Sequence, residues 1–86
     1  MGYKVALAKA ADKQLRKLDR PVQVRIGVLL NRIGTLDDPR SIGEPLHGDL
    51  SERWKYRAGD WRIIAAIHDN LVMVEVIEIN HRSAAY

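Results

Sequence analysis

The chain has 86 residues, of which 47% are apolar, and its 14 Lys+Arg against 11 Asp+Glu give a formal net charge of +3. That length fits one small soluble domain spanning residues 1–86 and excludes two; such a domain buries only about 60% of its unfolded surface, which favours a stabilising partner. The absence of cysteine excludes disulfides, CxxC redox chemistry and thiolate zinc sites, and a reducing, cytoplasmic setting fits.

The N-terminus lacks the apolar core of a signal peptide, and no apolar stretch approaches the roughly 20 residues of a membrane helix, so neither export nor a membrane partner is expected. Tyr3, Val5 and Leu7 alternate with Lys4, Ala6 and Ala8, the period of a short half-buried strand. From Lys9 the period lengthens: Ala11, Leu15 and Leu18 form a stripe while Lys9, Lys13, Arg16, Lys17 and Arg20 take the other faces of a helix ending near Asp19. Pro21 suits the first turn of a second helix, whose stripe is Val22, Ile26, Leu29, Leu30 and Ile33, and Gly34 marks its end. Asp37 to Asp49 is rich in turn formers without periodicity and reads as a connecting loop.

Strands follow. Trp54 and Tyr56 alternate with Arg53, Lys55 and Arg57; Ala58-Gly59-Asp60 makes a turn; Trp61 to His68 is mostly apolar. Asp69-Asn70 suits a hairpin turn, and Leu71 to Ile79 reads as an interior strand, followed by a polar tail from Asn80 to Tyr86. The predicted fold is α+β with order β-α-α-β-β-β: two N-terminal helices packed on one face of a mainly antiparallel four-stranded sheet. The opposite face is left open for a ligand.

Charge is unevenly spread, +5 over residues 1–43 and −2 over residues 44–86. A basic half suits a polyanion partner, and an ordinary solvated helix surface gives the same count. Arg53, Lys55 and Arg57 project from one strand face, either as a solvated row or as a grip for phosphate. Arg62, flanked by apolar residues after the turn, either joins that row or pairs with Glu75 or Glu78 on the next strand. In the tail, His81, Arg82 and Tyr86 can hold phosphate or move protons, or simply form a polar end. His47, His68 and His81 lack metal-ligand spacing, and Ser41, Ser51 and Ser83 lack a nucleophile elbow, so neither a metal, a cofactor nor serine catalysis is expected. Trp54 faces away from the basic row and reads as core.

Taken together, the segments YKVALAKAADKQLRKL, PLHGDLSERWKYRAGDWRIIAAI and VEVIEINHRSAAY resemble the RelE/ParE superfamily of toxins from type II toxin-antitoxin pairs, and the RelE branch in particular. Leu46-His47-Gly48, Gly59-x-Trp61-Arg62-Ile63 and the closing His81-Arg82 with Tyr86 carry the likeness. The resemblance implies a metal-independent endoribonuclease, an mRNA interferase that cuts the codon in the ribosomal A site and so stops translation. Attack by the substrate's 2′-OH on the adjacent phosphate would leave a cyclic phosphate and a free 5′-OH. Implied partners are a cognate antitoxin, the ribosome and mRNA, with no small-molecule cofactor.

By the same resemblance, Lys55 would help activate the 2′-OH and hold the phosphate. Arg57 falls where close relatives often carry a lysine; it can hold phosphate but is a poor proton acceptor. Arg62 would stabilise the transition-state phosphate, and Arg82 would bind phosphate or act as general acid. Tyr86 would stack on the base and serve as a general base, with His81 a neighbouring proton-transfer group. Arg53, Lys9, Lys13, Arg16 and Lys17 would contact RNA through phosphate. The ParE branch shares the fold and inhibits DNA gyrase without cutting RNA, so a non-enzymatic gyrase inhibitor is the rival reading. An inactive module that keeps only antitoxin contact is a third.

Overall fold

A computed structural model describes residues 2–46 and 53–84; His47 and Tyr86 lie outside them. The elements are β1 (Lys4–Leu7), α1 (Lys9–Arg16), α2 (Arg20–Thr35), β2 (Glu44–Pro45), β3 (Arg53–Ala58), β4 (Trp61–His68) and β5 (Met73–His81). They build one sheet in the order β1-β5-β4-β3-β2, with β1 parallel to β5 and every other pair antiparallel. The sheet thus has five strands where the sequence suggests four. The addition is β2, two residues within the expected loop, too short to carry a period.

Two aromatic side chains fasten that loop. Tyr56 Oη donates to Pro39 O at 2.7 Å and Trp54 Nε1 donates to Ile42 O at 2.7 Å, so the inward face of β3 holds residues 39–42 against its own edge. Gly43 then turns the chain at φ +80°, where an added Cβ would lie 2.5 Å from Lys55 O, and delivers Glu44 opposite Lys55. Only glycine fits that crossing without distortion.

Both helices cover the same sheet face. Ala11, Ile26, Ile33, Tyr56, Ile63, Ala65, Val74, Val76 and Ile79 make the core, with Leu15, Leu18, Val22, Leu29 and Leu30 packed around it. These are the stripes that the helical period predicts. Gln23 Nε2 reaches from α2 to the Leu15, Arg16 and Leu18 carbonyls at 3.0–3.2 Å, satisfying acceptors that the end of α1 leaves open. Gln14 Oε1 accepts the Ile79 N–H at 2.9 Å, just beyond a register shift opposite Ile64/Ala65. That bond ties α1 to the part of β5 from which the tail departs. Because helices cover one face only, Met73, Glu75, Ile77 and Glu78 are half-buried, and β5 is not the doubly buried strand its apolar run suggests.

Candidate functional site

The uncovered sheet face gathers the cations. Register places Arg53 beside Ala66, Lys55 beside Ile64, and Arg57 directly opposite Arg62, which in turn faces Asn80 on β5. Cross-strand partners share a face, so Arg53, Lys55, Arg57 and Arg62 converge on one surface as the alternation predicts. Ala58 and Trp61 close the hairpin, leaving Gly59-Asp60 as its two-residue turn with Gly59 at φ +61°. This tight turn brings Arg57 and Arg62 abreast.

Like charges directly opposite each other destabilise a sheet. Among the described residues neither arginine makes an ion pair, and Arg62 Nε is buried with no hydrogen-bond partner. The carboxylates that the sequence offers to Arg62 are engaged elsewhere: Glu75 Oε1 lies 3.0 Å from His68 Nε2, and Glu78 Oε1 accepts from Asn80 Nδ2 at 2.9 Å. The pairing of Arg62 with Glu75 or Glu78 therefore does not form. A buried guanidinium nitrogen without a hydrogen-bond partner, beside a second cation, favours binding of an anion.

Lys55 sits differently. Only 18% of its side chain is exposed, and Nζ lies 2.9 Å from Glu44 Oε1. Glu44 is the residue that sequence reasoning missed, since its partner lies 11 positions away across a strand too short to show a pattern.

The tail returns to the same end of the sheet. Arg82 N–H donates to Asp60 O at 2.8 Å and its guanidinium lies 3.6 Å from Asp60 Oδ1, on the turn between Arg57 and Arg62. That pair is exposed and contributes little to stability. His81 lies opposite Trp61, and the two rings meet edge-on at 5.1 Å, so its ring is on the helix side of β5 and off the basic row. Its Nδ1 accepts from the Ser83 N–H at 3.1 Å, which assigns the proton of the neutral ring to Nε2.

Lys9, Lys13, Arg16 and Lys17 are exposed on or just after α1, which packs against β5 and β1 from the other side of the sheet. They form a surface separate from the basic row, and Arg16 Nε pairs with Asp12 at 3.1 Å. Among the described residues no group of three His, Asp or Glu could hold a metal ion, and no helix is long and apolar enough to cross a membrane.

The family model for the ParE toxin of type II toxin-antitoxin systems (parDE) matches residues 5–86. The chain belongs to the RelE/ParE toxin superfamily. Toxin RelE of Mycobacterium tuberculosis is 36% identical over 89 residues, covering 98% of this chain and 86% of its own length. Toxin RelG of the same organism is 29% identical over 87 residues, covering 100% and 98%. Among solved structures, the RelBE2 toxin-antitoxin complex of M. tuberculosis contains a chain with TM-score 0.85 at 23% identity, covering 96% of this chain and 94% of its own. The isolated E. coli RelE toxin gives TM-score 0.80 at 23% identity, covering 98% and 88%. The toxin fold is therefore RelE-like, and the open face just described is the surface this member of the superfamily leaves free of its helices.

Proposed function

We propose that this toxin is a ribosome-dependent mRNA interferase whose reaction takes place on the open sheet face. The observation that carries the reading is the Arg57–Arg62 pair, two opposed guanidiniums without a carboxylate partner among the described residues and with Arg62 Nε buried and unsatisfied. A phosphodiester supplies the missing acceptors, and the pentacoordinate transition state supplies more negative charge than the ground state, so the pair binds it more tightly.

The chemistry needs three further acts. The 2′-OH must lose its proton, O2′ must bond to phosphorus as the P–O5′ bond breaks, and the departing O5′ must gain a proton. Lys55 orients the phosphate and the attacking oxygen, and Glu44, held on Lys55 Nζ, provides a carboxylate able to accept the proton. Arg82, beside the Asp60 turn, neutralises charge at the leaving side, and His81, although its ring lies off the row, is the neighbouring proton-transfer group that the family resemblance names. Tyr86 retains the base-stacking and proton-accepting role that the family resemblance gives it. Arg53 extends the phosphate contacts along β3, while Lys9, Lys13, Arg16 and Lys17 suit sequence-blind contacts to ribosomal RNA. We infer also that a cognate antitoxin binds the toxin, since similar chains occur in toxin-antitoxin complexes. The basic N-terminal half suits an acidic segment of it.

The test is primer-extension mapping of mRNA on ribosomes stalled at a defined A-site codon, with the same mRNA free of ribosomes as control. Cuts within that codon, present only with ribosomes and lost in Arg62→Ala, support the reading; intact mRNA in both reactions overturns it. The match to the ParE model favours one alternative, gyrase inhibition without RNA cleavage. A supercoiling assay detects it, and there single substitutions in the basic row leave the effect largely unchanged.

A further inference from the structure

At the other end of the basic strand, away from the Gly59-Asp60 turn, a groove of about 380 Å³ at the margin of the open face is lined by residues that include Arg40, Arg53, Trp54, Ala66, His68 and Asp69. Its floor is set by the register. Arg53, Ala66 and Glu75 stand in one cross-strand row, and Ala66, only 5% exposed, is the small residue between two long ones. Its walls are planar groups: the Arg53 guanidinium, the His68 ring held by Glu75, and the Arg40 guanidinium held by both oxygens of Asp69 at 3.0 Å. Tyr3 Oη adds a third bond to Asp69 at 2.7 Å, so this wall is fixed in place by residues from three separate parts of the chain.

Charge is distributed unequally around the groove. Asp69 neutralises Arg40 and Glu75 shares a hydrogen bond with His68, whereas Arg53 makes no ion pair among the described residues. One cation without an ion pair beside flat walls that carry carboxylates of their own suits a nucleotide, with the phosphate on Arg53 and the base between planar groups, better than it suits a second phosphate. Arg53 and Arg57 share a face four residues apart, about 13 Å along a strand, which is longer than one phosphate-to-phosphate step and so corresponds to a nucleotide other than the one being cut.

We propose that this groove is a nucleobase subsite for a nucleotide near the scissile phosphate, and that Arg53, His68 and Ala66 set which base it admits. The inference rests on the interferase reading and adds a specificity determinant to it. The Arg40–Asp69 pair serves as a positioning wall.

The experiment uses the full chain on ribosomes programmed with mRNAs in which each position of the A-site codon is varied in turn. Ala66→Leu fills the groove without touching Arg57 or Arg62, and Arg53→Gln removes the free cation while keeping a planar head; thermal melts confirm that each variant folds. The expected result is a loss of base discrimination, on the order of tenfold or more at one codon position, with cutting at the best codon retained in Ala66→Leu. If the wild type cuts and both folded variants keep its pattern of preference, the subsite is wrong and the interferase reading stands. Should Ala66→Leu fail to fold, Arg53→Gln alone decides the same question. A wild type that cuts no codon overturns the interferase reading and the subsite with it.

Discussion

Replacing Arg62 by methionine should raise the toxin's stability while abolishing most of its activity. The side chain now places a buried Nε without a partner and a positive charge directly opposite Arg57. An unsatisfied buried donor costs about 1–3 kcal/mol, and a like-charged cross-strand pair costs roughly a further 0.2–1 kcal/mol. Methionine keeps an unbranched stem of similar length and removes both penalties, so a gain of at least about 1 kcal/mol is expected, which in a domain this small moves Tm up by about 4–8 °C. Loss of one preorganised donor to the transition-state phosphate lowers the cleavage rate by about 10²–10³. Thermal unfolding followed by circular dichroism, paired with cleavage on programmed ribosomes, reads both quantities on one preparation. A variant that melts below the wild type, or that cuts within a few-fold of it, would refute the idea that Arg62 is held in an unfavourable site for the sake of an anion.

Glu44→Gln keeps the shape of the contact to Lys55 but removes the carboxylate, and single-turnover cleavage should fall by about 10²–10⁴ if it accepts the 2′-OH proton; an unchanged rate at every pH removes Glu44 from the chemistry. Burial raises the Tyr56 pKa to about 12, so the folded state keeps that proton while the unfolded chain loses it. Stability that is present below pH 10 should therefore decline as pH rises from 10 towards 12, and Tyr56→Phe should flatten this limb while costing about 0.5–1.5 kcal/mol for the lost bond to Pro39 O. The bonds from Arg40 and then Tyr3 hold the Asp69 carboxyl below its ordinary value. The stability it contributes is present above pH 4 and lost as pH falls through the lowered value, so Asp69→Asn should melt lower at neutral pH and show a shallower acid limb. Val72, a β-branched residue at φ 50° and ψ 49°, occupies the left-handed region; Val72→Gly should stabilise the fold, by about 1 kcal/mol, as read by urea unfolding.

How far the sequence reaches depends on the range of the interaction. The stripes of α1 and α2 and the alternation of β3 are local periods, and Ala11, Ile26, Ile33 and Tyr56 are fully buried where those periods put them. The convergence of Arg57 and Arg62 was legible too, because a two-residue turn fixes the register of a hairpin. What lay beyond reach were contacts between distant segments. The parallel pairing of β1 with β5 joins residues about 70 positions apart, and Gln14 reaches Ile79 across 65. Glu44 on Lys55 and Asp69 on Arg40 depend on which strand edges meet, and no pattern in either segment announces that. The same limit applies to Arg62, for which the sequence offered Glu75 and Glu78 as partners. Only the hydrogen bonds of His68 and Asn80 reveal that both carboxylates are taken.

The central step of the proposed function is attack by the substrate's own 2′-OH at the phosphate held by Arg57 and Arg62. Its most direct test is an mRNA carrying a single 2′-deoxynucleotide immediately 5′ of the mapped cut, compared on ribosomes with the all-ribose strand. Cleavage at that bond should vanish, while the all-ribose strand yields fragments ending in a 2′,3′-cyclic phosphate. Continued cutting at the deoxy position would contradict the mechanism and the role assigned to the open sheet face.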